Sequence, residues 1–226
     1  MNIKKTKTMI INKDNTQNLH INIKVEDLDL EEVQEYSYLG HIITSDGKCD
    51  KEINKRIGMT KNVFNNMKSI LTSKQITSKL KLRTIKCYIY STFLYGAETW
   101  TLNKKTEKKI EALEMWIYRK IGGIKWSDKK TNKEVLKLLK MKRELLNTIR
   151  IKQLKLFGHI KRHNSLLRII LEGKIQGKRG RGRPRLNWID NIRRWTGEPM
   201  SANTIKARDR MKWRSMVANL RCGDGT

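Results

Sequence analysis

Residues 36–57 read YSYLGHIITSDGKCDKEINKRI, and the hydrophobic period changes in the middle of them. Up to Thr44 the residues are aromatic and β-branched around a single glycine, which predicts a strand or a tight hairpin. Ser45-Asp-Gly-Lys48 is turn chemistry. From Asp50 onward Ile53, Ile57, Phe64, Met67 and Leu71 fall on one helical face. A strand-forming segment therefore hands over to a helical one near residue 48.

Upstream of this junction the chain continues to read as strands. TMIIN is short and β-branched, and LHINIKV alternates with Ile21, Ile23 and Val25 on one face. An acidic connector, EDLDLEEVQE, separates them from Tyr36. Downstream the period stays helical. Helices are predicted over about 77–95, with Leu82, Ile85, Ile89 and Phe93 inward, and over 104–121, with the stripe Ile110, Leu113, Ile117 and Ile121. Gly96 and the pair Gly122–Gly123 are stop signals. Thr131 followed by Glu134 is a capping-box pattern. Further helices are expected over 144–161, with Leu146, Ile149, Leu156 and Ile160 apolar, over LNWIDNIRRW, and from Ser201 to Leu220 after Pro199. The fold class is α+β: a small N-terminal antiparallel β part followed by a mostly helical basic region. The expected divisions are 1–47, 48–140 and 141–226.

Charge follows the same division. The chain has 226 residues and a net charge of +28, yet residues 1–50 are net −3. The basic body begins at Lys51. Such a field attracts polyanions, and nucleic acid, RNA or DNA, is the leading expected partner. No apolar run approaches 18 residues, so no membrane span is expected. The N-terminus lacks the apolar core of a signal peptide. Cys49, Cys87 and Cys222 are odd in number and far apart, which fits a reducing compartment, nuclear or cytoplasmic.

The densest basic stretch is GKRGRGRPRLNW, residues 177–188. Its glycines and proline disfavour helix, so an exposed loop over 177–186 is expected. Gly180-Arg-Gly-Arg-Pro184 resembles the core of an AT-hook. Glycines let a backbone lie deep in the minor groove while arginines reach into its negative potential. Arginine–glycine runs are also general phosphate binders. The candidate contacts are Lys178, Arg179, Arg181, Arg183, Pro184 and Arg185.

Other candidate chemistry is sparse. His159 and His163 have zinc-finger spacing, but no cysteine pair precedes them, so no metal site is expected. Neither His20 nor His41 has a nucleophile partner in the sequence. No Walker loop, dinucleotide fingerprint or Ser/His/Asp set occurs, so no small-molecule substrate is expected. The six tryptophans, at 100, 116, 126, 188, 195 and 213, are expected to pack in cores.

Five stretches in order resemble one family: MNIKKTKTM, YSYLGHIITSDGKCDKEINKRI, STFLYGAETWTL, LKLFGHIKRH and GKIQGKRGRGRPRLNWID. Together they resemble the C-terminal part of the endonuclease–reverse transcriptases of non-LTR (LINE-type) retrotransposons. The resemblance implies a palm edge at 1–47, a thumb-like helical domain at 48–140 and a basic C-terminal region at 141–226. It implies that Lys5 matches the motif D lysine. It places Tyr38, Leu39 and Gly40 where polymerases carry a primer grip, although core packing of Tyr38 and Leu39 around a turn at Gly40 accounts for them as well and is the expectation here. The parent family polymerises DNA on RNA with Mg2+ held by paired aspartates. No Asp-Asp pair occurs on an apolar strand turn here, and two-metal phosphoryl transfer requires such carboxylates. The expectation is a truncated copy that binds nucleic acid, without a cofactor and without catalysis. The alternatives are a self-standing AT-hook-like minor-groove binder and a non-functional pseudogene product.

Overall fold

The computed structural model describes residues 5–11, 23–25, 28–173 and 186–223. It is α+β, with short strands before a succession of helices. The chain divides into two compact units, Met1–Gly58 and Met59–Thr226.

In the first unit the strands are β1 (Lys7–Thr8), β2 (Lys24–Val25), β3 (Leu28–Asp29), β4 (Glu31–Glu32), β5 (Glu35–Tyr38) and β6 (His41–Thr44). β2–β3 and β5–β6 are antiparallel, whereas the two-residue pair β1–β4 is parallel. The expected hairpin is β5–β6, closed by the pair Tyr38–His41 around Leu39 and Gly40. Both loop residues have positive φ, 48° and 81°. A two-residue loop of this kind matches the right-handed twist of its strands. Tyr38 and Leu39 do not pack in a core: they are 57% and 72% exposed. Tyr38 is the last residue of β5 and Leu39 the first of the loop, so both stand at the hairpin tip, which carries them outward. The hairpin is anchored to α1 (Asp50–Asn66) by a buried ion pair. Arg56 donates from Nε to Glu52 (2.6 Å) and from Nη2 to the Gly40 carbonyl (2.9 Å), and Glu52 accepts the Ile42 N–H (2.7 Å).

The second unit is helical. α1 does not run on to Leu71; it stops at Asn66, and α2 (Lys68–Thr72) follows. Consecutive asparagines at 65 and 66 weaken the helix there. α3 (Ser78–Thr84) begins at Thr77, whose hydroxyl accepts the Leu80 N–H. It runs into a π-turn, Ile85–Ile89, then α4 (Tyr90–Phe93), and Gly96 closes the segment at φ 68°. α5 (Lys104–Ile121) and α6 (Asn132–Leu139) start from capping boxes at Asn103 and Thr131. α7 (Leu145–Arg162) is the central helix, with Leu145, Ile149, Leu154 and Phe157 buried. Its Gln153 donates to the carbonyls of Ala97 and Trp100, both at 2.9 Å.

A short helix absent from the sequence reading, α8 (Leu166–Glu172), comes next, with Leu166, Ile169 and Ile170 exposed. α9 (Trp188–Thr196), α10 (Met200–Arg208) and α11 (Arg210–Gly223) complete the chain. The expected last helix is broken at Asp209, because its carboxylate accepts the N–H groups of Met211 and Lys212 and starts a new helix. Leu154, Phe157, Ile192, Ala207, Trp213 and Val217 form one core cluster, with Trp188 and Trp195 packed against it. Gly158 lets α11 approach α7: a Cβ there would lie 2.4 Å from the Trp213 ring. Trp213 also donates its indole N–H to the Leu154 carbonyl at 2.8 Å. Core packing thus holds for Trp100 and Trp213, but Trp126 is 95% exposed, on a one-turn 3-10 segment between lysines.

Candidate nucleic-acid interface

α7 ends on Lys161 and Arg162, as helices favour cations at their carboxyl ends. The chain then turns through Asn164 into α8, and α10 brings Arg208 to the same place. Lys161, Arg162, Asn164, Arg168 and Arg208 line a cleft of about 560 Å3. Each inner cation is held. Lys161 is buried, with its ammonium 2.7 Å from Glu172 and over the Phe157 ring. Arg162 donates to the Ala207 carbonyl at 2.9 Å. Arg168 reaches both oxygens of Glu172 (3.2 and 3.3 Å) and donates to Asn164 Oδ1 at 3.0 Å.

Glu172 is the one carboxylate bound to these groups among the described residues. The hydrogen bond from Lys161 holds it below the ordinary glutamate range, against a small opposing effect of burial, and the charges of Lys161 and Arg168 add to this. It stays ionised, and the cleft remains strongly cationic. Arginine forks and ammonium groups held at a concave surface are suited to phosphate oxygens. His159, in the last turn of α7, and His163, just past its end, lie exposed beside one another, ring centroids 4.3 Å apart.

None of the sequence-derived candidates is among the residues that line this cleft. Lys178, Arg179, Arg181, Arg183, Pro184 and Arg185 lie outside the described residues. Lys5 is exposed just before β1. Tyr38, Leu39 and Gly40 sit together at the tip of the β5–β6 hairpin. Among the described residues no group of three or more His, Cys, Asp or Glu side chains could hold a metal ion. No described helix is long and apolar enough to cross a membrane.

The cleft residues went unnoticed in the sequence because each carries a bland local explanation as a helix-terminal cation. Only the fold brings positions 161, 168 and 208 together. Trp126 had a weak signal, since it lies in a lysine-rich turn with no periodic apolar neighbours.

No family model matches the chain, and no solved structure matches it. A transposon-derived protein of Caenorhabditis elegans is 25% identical over 201 residues, covering 83% of this chain and 71% of its own length. This similarity supports a transposon origin for the chain.

Proposed function

We propose that the chain is a remnant of a non-LTR retrotransposon reverse transcriptase, from the end of the palm through the thumb and basic tail, that binds nucleic acid and does not polymerise. The observation that carries the binding function is the cleft at the end of α7, where four basic side chains converge and Glu172 is the one carboxylate bound to them among the described residues. The phosphate backbone is the partner such a cleft fits, because phosphate contacts need charge and donors but no base sequence. The transposon-derived relative and the ordered motifs from Asn2 to Asp190 support the ancestry. The hairpin tip at Tyr38–Gly40 takes the place of a primer grip, and the basic run at 177–186 supplies further contacts.

Two variants of the full chain test this reading. Arg168→Ala with Arg208→Ala removes two cations from the cleft, and deletion of 177–186 removes the basic run. On duplex DNA the double substitution should reduce the salt slope of log K by about 2. Most affinity should survive the deletion. A double variant that binds with unchanged affinity and slope would remove the cleft from the interface. Near-complete loss on deletion alone would favour a self-standing AT-hook-like binder.

A further inference from the structure

Five of the six tryptophans pack against other side chains. Trp100 and Trp213 are buried, Trp116 stands edge-on to Phe64 with ring centroids 5.0 Å apart, and Trp188 and Trp195 lie against the core cluster around Phe157. Trp126 does not. It is 95% exposed, so hardly any of its indole is covered. It lies on the 3-10 turn Trp126–Asp128, between α5 and α6.

A loose loop could leave an aromatic side chain outside by default, but this turn is built. Past the end of α5 the Ile124 N–H returns to the Arg119 carbonyl at 2.9 Å. The Asp128 carboxylate accepts the Lys125 N–H at 2.9 Å. The carbonyls of Lys125 and Trp126 accept the N–H groups of Asp128 and Lys129, both at 3.2 Å. Lys129 closes the turn in the left-handed region, at φ 48°. Beyond it Arg119 donates to the Lys130 carbonyl at 2.8 Å and to Asn132 Oδ1 at 3.0 Å, which ties the segment back to α5. The fold therefore fixes the backbone of Trp126 and leaves its indole in water.

The surroundings are cationic. Lys125, Lys129 and Lys130 are exposed within four residues of Trp126, against one acid, Asp128. A partner for this turn must offer a flat face to the indole and negative charge to the lysines. A protein hot spot packs its aromatic anchor within a ring of further contacts, and a membrane-surface segment presents a whole apolar face. Here the only other residue between Lys125 and Lys130 is Ser127. An unpaired nucleotide meets both demands, because every base has a π-face and its phosphate carries the charge. A base inside a duplex does not, since its stacked neighbours cover it.

We infer that the α5–α6 turn binds single-stranded nucleic acid, with a base stacked on Trp126 and adjacent phosphates met by Lys125, Lys129 and Lys130. This extends the nucleic-acid reading above to unpaired strands. It uses none of the residues of the cleft at the end of α7, so either can fail without the other.

The test is titration of the full-length chain, by fluorescence anisotropy, into labelled oligothymidylate and oligouridylate of about 12 nucleotides, an abasic strand of equal length and a blunt duplex. Cosedimentation with phosphatidylserine vesicles accompanies it. Trp126→Ala and Trp126→Phe change a side chain that supports no packing, so both should keep the wild-type far-ultraviolet circular dichroism. The wild type should bind a base-bearing strand about 10-fold or more tighter than the abasic one. Trp126→Ala should lose about 10-fold on the base-bearing strand and nothing on the abasic strand or the duplex. Trp126→Phe, which keeps a π-face, should recover most of that loss. Lys129→Ala with Lys130→Ala should reduce the salt slope of log K on the single strand by about 1.4. The tighter of the two base-bearing strands identifies DNA or RNA as the source of the unpaired base. Equal affinity for base-bearing and abasic strands, or undiminished strand binding by Trp126→Ala, would overturn the proposal. Vesicle binding that is lost in Trp126→Ala would overturn it in favour of a membrane surface. Failure of the cleft reading shows instead on the duplex, in the Arg168→Ala, Arg208→Ala variant.

Discussion

Glu114 is fully buried on α5, and its Oε1 is the meeting point of four donors. The hydroxyls of Tyr90 and Tyr118 lie at 3.1 and 3.0 Å, and the N–H groups of Glu144 and Leu145, at the start of α7, lie at 2.8 and 3.0 Å. Burial raises its pKa above the ordinary 4.5, and the four donors only partly offset this. Its other oxygen has no hydrogen-bond partner among the described residues. Burial and the neighbouring carboxyl push both tyrosine hydroxyls up as well. A raised carboxyl pKa means that the folded state holds the proton more tightly than the unfolded one. This site's contribution to stability is therefore greatest below about pH 4.5 and is lost as pH rises through the raised value. Glu114→Gln keeps the acceptor and cannot ionise. In urea unfolding from pH 4.5 to 7.5, the variant should gain on the wild type as pH rises; parallel curves would show that Glu114 does not titrate in that window. Glu52 has the opposite sign. Burial pushes it up, but the hydrogen bonds from Arg56 and Ile42, with the charges of Arg56 and His41, outweigh burial and lower it. The stability it contributes is present above its ordinary pKa and is lost in acid.

At the scale of elements, the β5–β6 hairpin holds a leucine where a primed turn prefers asparagine. Leu39 at φ 48° is in the left-handed region, which costs a residue with a β-carbon about 1–2 kcal/mol. Leu39→Asn relieves most of that. Amide exchange across the Ser37–Ile42 pairing should slow about 5-fold, the equivalent of about 1 kcal/mol. Unchanged exchange would mean that the turn does not limit hairpin opening. This hairpin was legible because aromatic and β-branched residues flank a lone glycine, and α5 was legible because its apolar stripe and its glycine stop agree. The breaks were not. The π-turn at Ile85–Ile89 leaves Ile85, Ile89 and Phe93 at helical spacing, so periodicity passes straight over it. The start of α11 depends on one side chain, Asp209, accepting two N–H groups, which no apolar pattern records. α8 was missed because its apolar residues are not sorted to a buried face.

For the whole molecule, charge gives the most direct measurement. If six phosphates are neutralised, log K for duplex DNA should fall against log salt with a slope of about −5. A slope near zero would remove the electrostatic account at any affinity. The charge step at Lys51 was legible in the sequence, but the cleft was not, because composition cannot say which of fifty basic residues converge. The close packing at Gly158 has one more consequence, for how the chain is made. Trp213, which covers that glycine and caps the Leu154 carbonyl, lies 59 residues beyond Leu154. At about 5–20 residues per second, a ribosome needs roughly 3–12 s to add them. During that interval α7 exists without its cover, and the nascent chain displays the Leu154–Phe157 face to any chaperone or to a neighbouring nascent copy.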